Sequence, residues 1–563
     1  MSFPRCFACL FFILPSNPRD IVEKVMSARG LRRDAGRTGL LFASLGGMIG
    51  SGWLFGALNA AKIAGPASLI SWVIGGIAVM LLAFVFAELS TMFPRPGAVI
   101  VFPKLCFGPL TAQVMSWINF LAYVAVAPVE AVAIVSYANN FAPGLVSPGA
   151  GTLTLKGVVV AAVLMAAFNV INLFAIRLVL RMNNAITWWK LAVPAFTVIA
   201  LIAVHFRAQN FVQHGFAPAG LGGTFAAVSG SGIIFTYLGF RQAIELAGES
   251  ANPSRNLPFA IIGSVVLCIL LYCGLQIAFI GALTPADLAN GWAALSFPGI
   301  SGPFAGLAGG LGLTWLAATL YADAAISPGG TGIIYITTAA RVIYATADEG
   351  LASRRLAGLS AAGVPVPSLI LGFLVGLLFL APLPSWRSLV TYLSSIGVLA
   401  YGVGPVVFYA FRRTLPEQDF PRPFRLRQGD LVAALAFIVA NLVVFWAGAA
   451  VTNHLFGGLL IAFLLYAGGQ IVRHGTLEHL HWRGAIWLAP YFSGLWLITF
   501  LGPLHGTHTL GPVSGPVVVA VFSLLILRLA RSCALADPVE AKARFRKEER
   551  STFCEQKVAK KLC

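Results

Sequence analysis

The chain has 563 residues, of which 58% are hydrophobic and only 10% are Asp, Glu, Lys or Arg. Soluble domains carry about 25% charged residues, so the composition excludes a water-facing fold of this length. The formal net charge of +18 raises nucleic acid as a partner, but the basic residues lie in short connections between long apolar runs. A run of about 20 apolar residues spans a bilayer as a helix, so the sequence predicts an all-α polytopic membrane protein.

About 14 apolar segments follow one another along the chain and are predicted to cross the membrane. They cover residues 38–61, 67–93, 110–138, 155–176, 184–205, 223–247, 258–283, 310–345, 367–383, 388–411, 430–451, 455–472, 484–501 and 515–529. Residues 1–37, in which Met26 is a second candidate start, are expected to form a cytoplasmic segment. Residues 532–563 are expected to form a basic cytoplasmic tail.

The basic residues indicate which side of the membrane each connection faces. When both tails and the even-numbered connections are placed on one side, that side holds nearly all of the 38 Lys and Arg. The exceptions on the opposite side are Lys62, Lys156, Arg207 and Arg387, and the exceptions well inside predicted helices are Lys190 and Arg241. Because cytoplasmic connections carry the excess of positive charge, both termini are expected in the cytoplasm and the protein in the cell inner (plasma) membrane.

Small residues interrupt the first, sixth and eighth predicted helices, at residues 46–52, 229–232 and 327–332. Glycine weakens a helix and proline removes a backbone donor, so we expect a break at each position. Close packing between helices is the alternative explanation for glycine. Broken helices at corresponding positions of two halves indicate a transporter binding site, and the spacing of the first and sixth helices predicts two inverted five-helix repeats.

Several motifs occur in a fixed order between residues 38 and 425. They are Gly47-Met48-Ile49-Gly50-Ser51-Gly52; Ala87-Glu88-Leu89-Ser90 before Phe93-Pro94-Arg95-Pro96-Gly97; Phe235-Thr236-Tyr237-Leu238-Gly239-Phe240 before Asn252-Pro253-Ser254-Arg255-Asn256-Leu257-Pro258; and Ala340-Arg341-Val342-Ile343-Tyr344-Ala345 before Asp348-Glu349-Gly350 and Pro365. This series resembles the amino acid–polyamine–organocation (APC) transporter superfamily, and residues 239–242 are most similar to bacterial aspartate–proton symporters.

The resemblance implies a LeuT-like fold, with a ten-helix inverted-repeat core at residues 38–411 and four additional transmembrane helices at residues 412–531. It also implies secondary active, proton-coupled uptake of an amino acid, with aspartate and glutamate as candidate substrates. The partners expected are therefore an amino acid, a proton and the lipid bilayer, and not nucleic acid.

The resemblance places the amino-acid site between the broken first and sixth helices. Backbone N–H groups at the start of a half-helix, together with its positive dipole end, can bind a carboxylate without a charged side chain. Carbonyls near Met48 and Phe235 are expected to accept from the ammonium group, and the Phe235 ring to gate the site from outside. The candidate substrate-binding residues are Met48, Ile49, Gly50, Ser51, Gly52, Phe235, Tyr237, Gly239 and Arg241.

Lys190 is a cation within the fifth predicted helix. Spacing alone favours an amine that extends to the cytoplasmic interface, because Lys190 lies about 9 Å along the helix from Asn184. The resemblance implies proton coupling instead, because some proton-coupled members carry a lysine here that reaches the place of sodium in sodium-coupled relatives. A buried amine with few counter-charges can gain and lose a proton. Its expected neighbours are Gly46, Gly47 and Ser327.

Three more charged residues inside predicted helices are candidates for a functional role. Glu130 is an intramembrane acid whose partner the sequence does not identify. Asp323 is expected near the extracellular end of the eighth helix, where a solvated role is equally consistent with the pattern. Arg241 follows Gly239 where some family members carry a glutamate. Its guanidinium either grips the side-chain carboxylate of an acidic substrate or pairs with Glu245 or Glu130.

Other functions are less consistent with the sequence. Exchange or antiport of amino acids or polyamines is the alternative within transport, and a non-transporting membrane receptor or scaffold is the alternative of another class. No Ser–His–Asp, HExxH or phosphate-loop pattern supports an enzyme, and no cofactor is expected. His479 and His481 lack further ligands nearby and the eight cysteines show no paired spacing, so no metal site is expected.

Overall fold

The computed structural model describes residues 35–94, 97–148, 151–174, 176–297, 302–348, 351–360, 363–381, 385–474 and 482–535. Nearly all of the described chain is helical. The motif residues Arg95, Pro96, Glu349 and Gly350 lie outside the described residues. So do His479, His481, nearly all of the predicted N-terminal segment and the end of the predicted C-terminal tail.

Helices α1 to α11 cover the first six predicted segments and the connections between them. These are α1 (Arg37–Met48), α2 (Gly52–Ala64), α3 (Ser68–Met92), α4 (Ala98–Phe107), α5 (Pro109–Val124), α6 (Val126–Ala138), α7 (Leu155–Phe174), α8 (Ile176–Val204), α9 (Gly220–Gly230), α10 (Ile233–Tyr237) and α11 (Arg241–Glu245). Helix α4 lies in the connection between the second and third predicted segments, where the sequence predicts no helix.

The remaining predicted segments correspond to helices α12 to α20. These are α12 (Pro253–Ala282), α13 (Pro303–Gly310), α14 (Thr314–Asp348), α15 (Val366–Leu378), α16 (Trp386–Thr414), α17 (Gly429–Ala447), α18 (Ala449–His474), α19 (Leu488–Phe500) and α20 (Ser514–Ser532). Helix α13 is a second short helix that the sequence does not predict, in the connection before the eighth predicted segment.

Length and apolar composition identify the membrane-crossing helices. Within the described residues, nine helical stretches are long and apolar enough to cross a membrane, and the pair Gly220–Gly230 and Ile233–Glu245, bent by 49°, is a tenth. One stretch, Gly52–Met92, has 41 residues. At 1.5 Å per residue it would be about 60 Å long, twice the thickness of the hydrocarbon core. The chain turns within it at Gly65 (φ 61°), which separates α2 from α3.

Two of the three predicted breaks are present. The first helix is interrupted between α1 and α2, where Ile49 leaves the helical conformation with φ −92° and ψ 89°. The sixth is interrupted twice, between α9 and α10 at Gly232 and between α10 and α11 at Leu238. We call the residues between α1 and α2 the first break, and those between α9 and α11 the second break.

The third predicted break is wrong, because α14 runs without interruption from Thr314 to Asp348 with Pro328 inside it. Its glycines serve close packing instead. A Cβ atom on Gly330 would lie 2.9 Å from Ile186 Cγ2 of α8, and one on Gly332 would lie 3.0 Å from Phe168 Cε2 of α7. Neighbouring helices therefore fill the space that a side chain would need, and their packing supports the helix.

The first break is enclosed on all sides by other helices. Helix α12 packs against α1 and α3, α14 packs against α6 and α8, and α16 packs against α5 and α6. Gly46, Met48, Ile49 and Ser51 are all buried. The backbone groups that the break leaves unpaired therefore face protein atoms rather than lipid, as irregular backbone at membrane depth requires.

Candidate functional site

The two broken helices cross at a pair of glycines. A Cβ atom on Gly239 would lie 2.6 Å from the carbonyl carbon of Gly47, and Gly239 has φ 144°, a conformation that side chains rarely adopt. A Cβ atom on Gly47 would lie 2.8 Å from Gln242 Cγ. Only glycine allows the two backbones to approach this closely. The crossing brings Gly239 of the second break against Gly47 and Met48, next to the first break.

The start of α2 binds a carboxylate that belongs to the protein itself. The backbone N–H of Ser51 donates to Oε2 of Glu130 at 2.9 Å. Glu130 lies on α6 and is fully buried, and its Oε1 atom has no hydrogen-bond partner. A Cβ atom on Gly50 would overlap Oε1 and lie 3.0 Å from the Thr331 hydroxyl. The predicted anion site therefore has the geometry to accept a carboxylate, and the Ser51 N–H is the partner of Glu130 that the sequence does not identify.

The end of α1 binds a cation. Lys190 Nζ donates to the Gly46 carbonyl at 2.8 Å and to the Thr331 hydroxyl at 2.6 Å. The Thr331 oxygen in turn lies 3.1 Å from the Gly46 carbonyl and 3.2 Å from the Ile49 carbonyl. Lys190 is fully buried, so its side chain does not extend to the membrane interface.

Only part of the predicted neighbourhood of Lys190 is brought together. Gly46 contacts the amine, whereas Gly47 faces the second break. Ser327 donates to Asp323 Oδ1 at 2.6 Å rather than contacting the amine. Thr331, which the sequence analysis does not single out, takes the place expected for Ser327. The two serine and threonine positions are one helical turn apart on α14, and apolar patterning cannot tell which of them faces α8.

Asp323 is buried, and a solvated role for it is wrong. Its Oδ1 atom accepts hydrogen bonds from Trp189 Nε1 at 2.8 Å and from Ser327 at 2.6 Å. Its side chain has no measurable exposure. Lys190 donates to the Thr331 hydroxyl, and that hydroxyl and the Glu130 carboxylate both lie beside Gly50 of the first break.

Aromatic rings cover the first break on one side. The indole Nε1 of Trp386 donates to the Ser51 hydroxyl at 2.9 Å. The Trp386 ring lies 6.4 Å from the ring of Phe235, the predicted gate, and 4.9 Å from the ring of Phe55. We call Phe55, Phe235 and Trp386 the aromatic lid. The sequence does not indicate Trp386 as a site residue. A tryptophan at the start of an apolar helix is common at membrane interfaces, so it carries no local signal of a site.

Two predicted substrate-binding groups are engaged elsewhere. The Met48 carbonyl accepts a hydrogen bond from the Tyr272 hydroxyl at 3.0 Å. Tyr237 packs its ring between Trp72 and Tyr272 and donates to the Trp72 carbonyl at 3.2 Å. The Tyr237 side chain therefore faces α3 and α12 rather than the first break.

Arg241 lies in a cage of aromatic rings below the second break. Its guanidinium carbon is 4.6 Å from the ring centroids of both Tyr123 and Tyr401, and one of its nitrogens donates to Asn119. Among the ion pairs of the described residues, none joins Arg241 to Glu245 or to Glu130. The Arg241 Nε atom is buried without a hydrogen-bond partner. We call Arg241, Tyr123 and Tyr401 the arginine cage.

Comparison with known proteins identifies the family of the chain. The amino acid permease family matches residues 36–472. The chain belongs to the amino acid permease family. It is therefore a membrane transporter of amino acids in the APC superfamily, as its motifs predicted, and not an enzyme.

Two relatives from Bacillus subtilis (strain 168) are similar over most of the chain. The glutamate/serine transporter AimA is 37% identical over 481 residues, which cover 84% of this chain and 88% of that protein. The aspartate-proton symporter is 33% identical over 502 residues, which cover 88% of this chain and 95% of that protein.

A solved structure shares the fold. The crystal structure of a manganese transporter mutant from Eremococcus coleocola matches with a TM-score of 0.50 and 12% identity, over 92% of this chain and 97% of that one. At 12% identity the match is evidence for the fold alone. It agrees with a LeuT-like polytopic helical transporter.

Proposed function

We propose that this permease takes up acidic amino acids together with protons across the cell inner (plasma) membrane. The proposal includes 14 membrane crossings, two inverted five-helix repeats in residues 38–411, four additional helices in residues 412–531 and both termini in the cytoplasm. The charge asymmetry of the connections and the breaks at α1/α2 and α9/α11 support it.

The contact between Lys190 and the Gly46 carbonyl carries the proposal of proton coupling. The amine donates to the Gly46 carbonyl of α1 at 2.8 Å and to the Thr331 hydroxyl of α14 at 2.6 Å, and so holds α1 against α14. A charged ammonium makes stronger hydrogen bonds than a neutral amine. Loss of its proton weakens both bonds and lets the first break separate from α14. In this way the proton occupancy of one side chain biases the conformation of the broken helix.

Glu130 links substrate binding to the same proton. A substrate carboxylate at the start of α2 must replace Glu130 on the Ser51 N–H, because a single N–H serves one carboxylate at 2.9 Å. Two carboxylates at one site repel each other unless one is protonated. We infer that Glu130 takes a proton as the substrate binds, with Lys190, whose charge acts on it, as its exchange partner. Gly50 provides the room for the exchange, since it has no side chain there.

The substrate class rests on the relatives and on Arg241. The names of the two relatives report glutamate, serine and aspartate as the substrates of those proteins. In this chain Arg241 lies beside the second break with an unpaired Nε–H, and guanidinium groups bind carboxylates through paired donors. An acidic side chain leaving the site toward the cytoplasm would meet this group. The preference for aspartate and glutamate is therefore assigned to the arginine cage.

The test uses the purified full chain in liposomes with an imposed proton gradient. Labelled aspartate should accumulate when the outside is acidic, and a protonophore should abolish accumulation. Replacing sodium by choline should have no effect. Exchange, the alternative, would instead require aspartate inside the liposomes and would survive the protonophore. Best uptake of a neutral or cationic amino acid across the panel would contradict the assignment of acidic substrates.

A further inference from the structure

The side chain of Trp386, at the first residue of α16, touches both broken helices. Its Nε1 donates to the hydroxyl of Ser51 in the first break at 2.9 Å. A Cβ atom on Gly232, at the start of the second break, would lie 2.8 Å from Trp386 Cη2. The tryptophan is only 5% exposed. The ring of Trp386 therefore covers the place where the two breaks face each other.

The aromatic lid lies on the side of the site opposite to the arginine cage. Helix α16 begins at Trp386 and ends next to Arg412 and Arg413, on the side of the membrane that holds most cations. By the excess of positive charge that side is cytoplasmic, so the start of α16 is extracellular. Phe55 and Phe235, the other members of the lid, pack on Trp386 at 4.9 and 6.4 Å.

A second hydrogen bond fastens the same end of α16. Arg387 Nε donates to the carbonyl of Gly230, the last residue of α9, at 3.3 Å. Adjacent residues of one helix end thus hold the first break through Ser51 and the end of α9 through Gly230. An opening toward the extracellular side has to separate α16 from both broken helices, which breaks these two bonds together.

We propose that Trp386 closes the amino-acid site on the extracellular side and limits the size of the substrate side chain that the closed site accepts. This inference rests on the proposed function, since it takes the Ser51 N–H as the carboxylate site. A carboxylate on that N–H would lie next to the hydroxyl that Trp386 holds, so the bound amino acid would lie beneath the indole. A packed apolar ring excludes groups that exceed the space beneath it.

The closing experiment compares Trp386→Ala, Trp386→Phe and a control, Trp315→Ala. Trp315 is 48% exposed and packs only on Phe196 among its ring contacts in the described residues, so its loss should not alter the site. The full chain in liposomes takes up labelled aspartate in competition with alanine, leucine and phenylalanine. Trp386→Ala should make leucine and phenylalanine at least tenfold better competitors relative to alanine. Trp386→Phe should keep the order of the parent protein, because a ring remains.

A second measurement keeps the proposal testable if Trp386→Ala does not transport. Val390 is buried one turn further along α16, against Gly232. Val390→Cys should react slowly with a membrane-impermeant maleimide added from outside, and several-fold faster when combined with Trp386→Ala, as located by mass spectrometry. Equal labelling rates, or an unchanged order of competitors in an active Trp386→Ala variant, would overturn the proposal. Failure of the parent protein to transport any amino acid would refute the proposed function, while the labelling comparison would still decide the role of Trp386.

Discussion

The carboxylate of Glu130 accepts a hydrogen bond from the Ser51 backbone N–H at 2.9 Å, 79 residues away along the chain. At the other end of the same break, the amine of Lys190 donates to the Gly46 carbonyl at 2.8 Å. An anion at the start of α2 and a cation at the end of α1 are the charges that the two helix dipoles favour. We propose that these two residues exchange a proton and that the substrate carboxylate binds by replacing Glu130 on the Ser51 N–H.

Bulk at Gly50 should abolish substrate binding. Even the Cβ of Gly50→Ala would overlap Glu130 Oε1, and the larger side chain of Gly50→Leu would fill the carboxylate position. Binding of labelled aspartate to purified protein in detergent is the measurement. Gly39→Ala is the matched control, since Gly39 lies in the same broken helix and has no atom within 4 Å of its Cβ position. Normal aspartate binding by Gly50→Leu would place the site elsewhere.

Replacement of the amine should uncouple transport from the proton gradient. Lys190→Ala removes the hydrogen bonds to Gly46 and Thr331, so α1 is no longer held to α14 by a proton-dependent contact. We expect no gradient-driven accumulation of aspartate, while exchange of internal for external aspartate continues. Lys156→Ala, at an exposed cation, should behave as the parent protein. Undiminished accumulation by Lys190→Ala would show that this lysine has only a structural role.

The pH dependence of binding should disappear with Glu130→Gln. In the parent protein the ionised carboxylate competes for the Ser51 N–H, so affinity for aspartate should rise as the pH falls and Glu130 takes a proton. The glutamine side chain has nearly the same shape and no charge to lose, which should make the affinity nearly constant with pH. Isothermal titration calorimetry of aspartate binding between pH 5 and 8 measures the pH dependence of the affinity in the parent protein and in the variant. Buried carboxyl groups can titrate in this range. If Glu130→Gln keeps the full pH dependence of binding, a residue other than Glu130 takes up the proton.

Arg241→Lys should weaken the preference for acidic substrates. Lysine keeps the charge but loses the planar guanidinium that stacks between Tyr123 and Tyr401 and that presents paired donors. In the parent protein, excess aspartate and glutamate should inhibit uptake far better than alanine or arginine, and this margin should shrink about tenfold in the variant. Arg207→Lys, at an exposed cation on the other side, is the control. An unchanged preference for acidic over other amino acids would show that Arg241 does not select the substrate.

Loss of Glu88 should destabilise the fold without touching the site. Glu88 is fully buried, accepts from Arg412 at 2.7 Å and lies 3.4 Å from Arg422 Nε. Removing one partner of a buried pair leaves uncompensated charge, which costs about 3 kcal/mol. Glu88→Ala should therefore lower the melting temperature clearly. Glu417→Ala breaks a pair with Arg425 whose side chains are 43% and 59% exposed, so it should change stability by only about 0.5 kcal/mol. Equal melting temperatures for the two variants would contradict this assignment.

The sequence by itself determined the class of the protein, the order of its apolar segments and the positions of the breaks near Gly50 and Gly232. These features depend on local chemistry, because apolar runs become helices in lipid and glycine permits irregular backbone wherever it stands. The family motifs likewise lie within short stretches of chain. For Lys190, however, local spacing favoured an interfacial amine, and only its three-dimensional neighbours show a buried one.

Only the tertiary structure decided which side chains meet. Trp386 and Ser51 are 335 residues apart, and nothing in the local pattern of either residue points to the other. The same holds for Glu130 as the partner of the Ser51 N–H, for Thr331 in place of Ser327, and for the burial of Tyr237 against Trp72. The continuity of α14 through Pro328 is a tertiary effect as well. Its neighbours α7 and α8 fill the space beside its glycines, so packing maintains a helix that the sequence alone predicts to break.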